Sequence, residues 1–257
     1  MSIGHSRAGE GPPLVLIHGL GGSRGDWDPV LGLLEAHHEV IAVDLPGFGS
    51  SPALRGELVT PAQLAAAVTA LLDDLGHESA HTAGNSLGAW VALEVAAAGC
   101  ALSVTGVCSA GLWSKVLGER PAGLNPQALA RLARPILPVL ARTPALRQAA
   151  LRGIMAHPER MPADAAVRTL RSYASAAGYA AANNGMRAAR FDLDAAALDV
   201  PVTLLWGEDD YVVRPPRRAP QGARTVMLPD CGHLAMWDQP ELVAEAILQT
   251  SSAALAR

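Results

Sequence analysis

The sequence predicts an α/β protein: a mostly parallel sheet with helices on both faces, interrupted by a helical insertion. Three observations carry this. Residues 13–18, 39–44, 102–109 and 202–206 read as strands. The first two are apolar stretches of the kind buried on both faces of a parallel sheet. Helix-length stretches separate them, with apolar residues three and four apart, as in Leu64, Val68, Leu71 and Leu72. Residues 113–187 break this alternation, with helical periodicity, no convincing strand, and 11 Lys/Arg against 3 Asp/Glu, while the rest of the chain carries 9 against 21.

Taken in order, residues 13–18 (Pro-Leu-Val-Leu-Ile-His) form a strand that runs into the glycine-rich loop His18-Gly19-Leu20-Gly21-Gly22-Ser23. Residues 27–34 are a short helix in which Trp27 packs. Residues 39–44 are the next strand, and Asp44 at its end is placed to accept hydrogen bonds from the turn-rich loop after it. Thr60-Pro61 opens a helix that runs to Gly76. His77-Glu78-Ser79-Ala80-His81 matches the zinc-protease pattern H-E-x-x-H, but that chemistry needs both histidines on one helix face. Gly76 has just ended a helix and residues 78–83 read as extended, which puts residues four apart at about 13 Å. Surface histidines at a strand edge are expected instead.

The strand at 78–83 leads into Gly84-Asn85-Ser86-Leu87-Gly88, and an unbroken helix-forming run follows. A serine on a tight strand-to-helix turn needs small residues two before and two after, because its neighbours crowd one another. The helix N-terminus then favours an anion near Ser86. Alone, the pattern is a weak signal, equally served by a plain small-residue turn.

Residues 102–109 are a further strand, and Cys108 there reads as a small buried hydrophobe. The insertion shows helical periodicity around 129–151 and 163–182, broken by Pro135, Pro138 and Pro144, and reads as a cap. Its Arg131, Arg134, Arg142, Arg147 and Arg152 form a solvated face, or attract an anionic substrate or the acidic core. The parallel pattern resumes at 202–206, followed by Gly207-Glu208-Asp209-Asp210. Three prolines between Arg214 and Pro220 shorten the next connection. A last strand at 224–228 leads to Cys231-Gly232-His233, and 240–249 is a closing amphipathic helix.

Composition bounds the partners. With 50% hydrophobic residues and a net charge of −4, the chain suits a globular enzyme with a small-molecule substrate, and nucleic acid is not an expected partner. No apolar run is long enough to span a membrane, and residues 1–11 contain no signal-peptide core, so a cytoplasmic protein is expected. The spacing of Cys100, Cys108 and Cys231 suggests neither a disulfide framework nor a metal site, and no cofactor is implied. Oligomeric state is not legible.

A serine hydroxyl is a weak nucleophile at neutral pH; it needs a base, and the base needs an orienting carboxylate. Candidates occur in the order Ser86, Asp210, His233, each in a loop after an expected strand, and such loops converge on one rim of a parallel sheet. Nearly the whole chain resembles a capped α/β-hydrolase. His18-Gly19-Leu20-Gly21 resembles that family's oxyanion loop and Gly84-Asn85-Ser86-Leu87-Gly88 its nucleophile elbow. Gly207-Glu208-Asp209-Asp210 resembles its acid loop, and Gly232-His233 with Asp238-Gln239-Pro240 its histidine loop.

The resemblance implies a sheet of about seven strands lacking the family's first, with residues 1–112 and 188–257 as core and 113–187 as cap. It makes Ser86 the nucleophile, His233 the general base and acid, and Asp210 the orienting acid, with Asp209 the competing carboxylate. The oxyanion donors are the backbone N–H groups of Leu20 and Leu87, with Gly21 in reserve. Asp238 stands where many relatives have Glu, a position of support. Trp113, Met155, Tyr173, Tyr179, Met186 and Trp237 are expected to line the substrate pocket.

The activity implied is hydrolysis of a small to medium carboxylic ester through an acyl-enzyme on Ser86. Parts of the same pattern are similar to hydrolases that cleave carbon–carbon bonds of vinylogous diketone acids, where the arginine-rich cap or Arg187/Arg190 would meet the carboxylate. Perhydrolysis, lactone opening and thioester cleavage use the same machinery. A slow-turnover small-molecule receptor is the reading from another class.

Overall fold

The computed structural model describes residues 3–118, 126–193 and 198–255. Its seven strands are β1 (His5–Ala8), β2 (Pro13–Ile17), β3 (Glu39–Val43), β4 (Ala80–Asn85), β5 (Ala101–Val107), β6 (Val202–Gly207) and β7 (Arg224–Leu228). They form one sheet in the order β1-β3-β2-β4-β5-β6-β7. β1 alone runs antiparallel, against β3. Each parallel pair requires a crossover, and helices α1 (Asp28–Leu34), α2 (Pro61–Asp74), α3 (Leu87–Ala97) and α10 (Pro240–Leu255) pack on the sheet.

The apolar runs place two cores, one on each face of the sheet. Val15, Ile17, Ile41 and Val43 point into one with Trp90 and Trp206, and Leu14, Leu16, Val40 and Ala42 point into the other with Trp27 and Trp237. Period-two alternation within a strand that is apolar throughout has this result. Thr60 caps α2 by accepting from the N–H of Gln63, whose side chain accepts from the N–H of Thr60 in return, as the Thr-Pro signal leads one to expect.

Between β5 and β6 the described chain is helical: α4 (Pro126–Leu132), α5 (Leu137–Arg142), α6 (Pro144–Leu151), α7 (Ala163–Ser175) and α8 (Tyr179–Ala188). Pro135 falls between α4 and α5, whereas Pro138 and Pro144 sit in the first turns of α5 and α6, where a missing N–H costs nothing. No helix separates β6 from β7 among the described residues, and a further one-turn helix, α9 (Ala235–Asp238), precedes α10. No described helix is long and apolar enough to cross a membrane.

One expectation is corrected. His81 is not a surface histidine at a strand edge: it lies on β4, which pairs with β2 on one side and β5 on the other, and is buried. It hydrogen-bonds the Ser103 hydroxyl at 2.9 Å and meets the edge of His38 at 5.3 Å, and burial pushes its pKa down to about 4. The order of strands is non-local, so the interior position of β4 was not readable from its own residues. His77, outside the strand, pairs instead with Glu39.

Candidate active site

The turn between β4 and α3 holds Ser86 at φ 56°, ψ −115°, a left-handed backbone that a non-glycine residue adopts only under constraint. The Ser86 N–H donates to Val107 O at 2.8 Å and its carbonyl accepts from the Ala110 N–H at 3.0 Å. The crowding expected of the turn is present: a Cβ on Gly84 would overlap Gly88 O, and one on Gly88 would overlap the carbonyls of Ile17 and His18.

The loop after β2 lies against this turn. His18 is fully buried, its Nδ1–H donating to Gly19 O at 2.7 Å while Nε2 accepts the Leu45 N–H at 3.0 Å. Burial lowers its pKa and both nitrogens are committed, so the imidazole acts as a neutral strut for the glycine-rich loop. A Cβ on Gly19 would come within 3.3 Å of Ser86 Cβ. The N–H of Leu87, at the first position of α3, has no acceptor within its helix, and that of Leu20 has none among the described backbone hydrogen bonds.

Asp210 follows β6 and His233 follows β7, and their side chains meet: His233 Nδ1 lies 2.8 Å from Asp210 Oδ2. The other carboxylate oxygen accepts the N–H groups of Val212 at 2.7 Å and Val213 at 3.0 Å. Burial alone would raise the Asp210 pKa, but the hydrogen bond and charge of His233 and the two N–H donors outweigh it and hold the carboxyl below its ordinary value. Asp209 is the residue whose backbone N–H binds Cys231 O, at 2.9 Å, and no described hydrogen bond or ion pair joins its side chain to His233. Asn85, beside the serine, donates from Nδ2 to His233 O at 2.9 Å and so ties the two loops together.

Ser86 and His233 line one cavity of about 790 Å³. Among the described residues no hydrogen bond links Ser86 Oγ to the ring; with Nδ1 engaged by Asp210, Nε2 is the nitrogen left for the cavity side. The remaining lining is mainly apolar and comes from both the sheet loops and the inserted helices. Trp113, Tyr173, Tyr179 and Met186 take part as expected, with the two tyrosine rings edge to face at 5.3 Å and Tyr173 pressed on Gly21.

Two pocket assignments are corrected. Met155 is packed in the core next to Gly232, and Trp237 lines a separate groove with Arg160 and Pro240. Met155 lies in the connection after α6 and Trp237 on the one-turn α9, and which way each faces is settled by how its segment docks, which its own sequence does not encode. Arg187 is likewise spent on the carbonyls of Gly118 and Leu117, and neither it nor Arg190 lines the cavity.

Three residues do more than their sequence positions announce: Cys108, expected as a buried hydrophobe, Asp238, expected as a support, and Asp26, not singled out. Cys108, just past β5 at φ 50°, is buried behind the acid: its sulfur, an Asp210 oxygen and a His233 nitrogen all lie within 4.8 Å of one another. Burial first, and the Asp210 charge second, push its thiol pKa well up, so it stays a neutral thiol. Asp26 lines the cavity from beside the glycine-rich loop; burial raises its pKa to about 7, and Oδ1 is enclosed with no described partner. Asp238, fully buried, accepts three backbone N–H bonds: Gly232 at 2.8 Å, Ala156 at 2.9 Å and His157 at 2.9 Å. It thereby fastens the histidine loop to the middle of the inserted segment, between α6 and α7.

Residues 14–246 match the model of the Alpha/beta hydrolase family. Over 93% of its length the chain is 34% identical to a dihydrolipoyllysine-residue acetyltransferase component of the acetoin cleaving system from Pseudomonas putida, and spans 63% of that relative. Over 37% of the chain it is 38% identical to a pimeloyl-[acyl-carrier protein] methyl ester esterase from Aeromonas salmonicida, covering 36% of it. Among solved structures, the enol-lactonase from Burkholderia xenovorans superimposes with a TM-score of 0.74 at 25% identity, over 97% of this chain and 96% of that one.

Proposed function

The chain belongs to the alpha/beta hydrolase family, and from that premise we propose that it is a serine hydrolase cleaving a small to medium carboxylic ester through an acyl-enzyme on Ser86. The observation that carries this reading is the 2.8 Å contact of His233 Nδ1 with Asp210, beside a strained serine turn that opens on the same cavity. Asp210 orients the ring and stabilises the imidazolium; His233 Nε2 takes the Ser86 proton as Oγ attacks the acyl carbon. The Leu20 and Leu87 N–H groups receive the oxyanion, at about 3 to 4 kcal/mol for each donor that counts. The C–O bond breaks, His233 returns the proton to the alcohol, and it then deprotonates water, which releases the acid and restores Ser86. Residues 113–187 act as the cap that closes the acyl site, and Tyr173 and Tyr179 bring part of its wall against the glycine-rich loop.

The test is turnover of 4-nitrophenyl acetate and butyrate by the protein and by Ser86→Ala. Hydrolysis that disappears with the hydroxyl supports the reading; tight ligand binding with only Ser86-independent turnover favours a receptor, and loss of a dienone chromophore favours carbon–carbon cleavage.

A second reading rests on the acetyltransferase relative. The same acyl-enzyme resolved by a thiol instead of water would make the protein an acyltransferase. Adding a dithiol to the assay and measuring thioester against free acid separates the two.

A further inference from the structure

We propose that the mouth of the cavity carries an anion subsite built by Arg214 and Arg217, so that the substrate is an ester bearing a second, negatively charged group separated from the scissile carbonyl by an apolar chain. The inference rests on the serine hydrolase reading and names its substrate class.

Both arginines line the cavity that Ser86 and His233 line, and both are exposed, which puts them at its opening. Most other arginines near the site are spent on protein groups: Arg24 on Asp44, Arg168 on Asp28, Arg187 on main-chain carbonyls. Arg214 and Arg217 have neither an ion pair nor a side-chain hydrogen bond among the described residues. Their positions are not free to wander. Pro215 and Pro216 stiffen the segment between them, and its start is fixed by the two N–H bonds from Val212 and Val213 to Asp210 Oδ1. The carboxylate that orients the candidate base thus also anchors the strand of chain bearing the two cations.

The rest of the lining gives those cations no partner. The one Asp or Glu among the described lining residues is Asp26, buried beside the glycine-rich loop, its pKa raised by that burial to about 7. An apolar chamber with two unpaired guanidiniums at its mouth selects a molecule of matching polarity, apolar through its middle and anionic at its outer end. A carboxylate on the acyl half or an acidic group on the alcohol half would each supply that charge.

The experiment uses two matched pairs. Mono(4-nitrophenyl) adipate against 4-nitrophenyl hexanoate tests a charge on the acyl half; the butanoate of 4-hydroxybenzenesulfonate against that of 4-(methylsulfonyl)phenol tests one on the leaving group. One pair is expected to show about tenfold higher kcat/KM for the anion at low salt, shrinking to within about twofold in about 0.5 M NaCl. The double variant Arg214→Gln/Arg217→Gln should lose the preference while hydrolysing the neutral ester as before, and Arg214→Lys/Arg217→Lys should keep it. Equal rates within both pairs, or a preference that survives the double glutamine variant, overturns the subsite. Equilibrium binding of the same two ester pairs to Ser86→Ala is read independently of turnover. If no ester is hydrolysed but the anion of one pair still binds about tenfold tighter, the hydrolase reading fails and the subsite stands; if the members of both pairs bind alike, the subsite falls.

Discussion

Removing the Asp238 carboxylate should cost both stability and turnover, in an order that its hydrogen bonds dictate. Oδ2 accepts the N–H groups of Gly232 and Ala156, and Oδ1 that of His157. In Asp238→Asn the amide oxygen can keep the two bonds of Oδ2, but the NH2 then faces the His157 N–H, donor against donor. One charge-assisted bond is lost and a buried donor is left unmet, about 2–3 kcal/mol. Asp238→Ala leaves all three donors unmet, about 4–6 kcal/mol after partial rescue by water. For a chain of this size each kcal/mol lowers the melting midpoint by about 2–4 °C, so the asparagine variant should melt roughly 5–10 °C lower and alanine roughly 10–20 °C lower. Circular dichroism melts at a fixed scan rate read this directly. Because Gly232 precedes His233, ester turnover by the asparagine variant should fall in kcat more than in KM. An alanine variant that melts within about 2 °C of the parent, or above the asparagine variant, would refute the reasoning.

Three further outcomes follow from the same structure. Asp26 has its pKa raised from 3.8 to about 7, so its contribution to stability is fully present below about pH 4, declines as the unfolded chain alone ionises, and is lost above about pH 7. The full swing is at most about 4 kcal/mol, and Asp26→Asn should abolish it, giving urea midpoints that match the parent near about pH 3.5 and exceed it by a margin that grows up to about pH 7; parallel curves would contradict this. Asp210→Asn keeps the Oδ1 acceptor for Val212 and Val213 but offers an amide N–H to His233 Nδ1, so kcat should drop by about 10³–10⁴ with the melt shifted by only a few degrees. Gly88→Ala sets a methyl against the carbonyls of Ile17 and His18 and should yield little folded protein in a soluble-expression and melting comparison, whereas Gly32→Ala, with open space around its Cβ, should not.

The elements that fix the site were legible because their signals are local. β2 is apolar throughout and β3 from Val40 on, both ending at turn residues, and the small residues at 84 and 88 are required by contacts within the turn and with the end of β2. Chain order then sufficed to bring Asp210 to His233, since both follow parallel strands. What stayed hidden depends on partners far along the chain. Asp238 was read as a supporting position, but the Ala156 and His157 donors that define its role lie about eighty residues away. His81 turned out interior because β5, a later strand, covers it; Met155, in the connection after α6, and Trp237, on the one-turn α9, turned away because such short segments dock by faces their own sequences do not announce. Arg214 and Arg217 looked like part of a proline-rich connection until the cavity beneath them was visible.

The proposed chemistry turns on a serine activated by an imidazole, and active-site titration with a fluorophosphonate probe, read by intact and peptide mass spectrometry, reports on that alone. The account predicts one probe per chain, on Ser86, with the labelling rate falling at least about a hundredfold in His233→Ala. No adduct, an adduct on another residue, or labelling of Ser86 that is indifferent to the loss of His233 would contradict it.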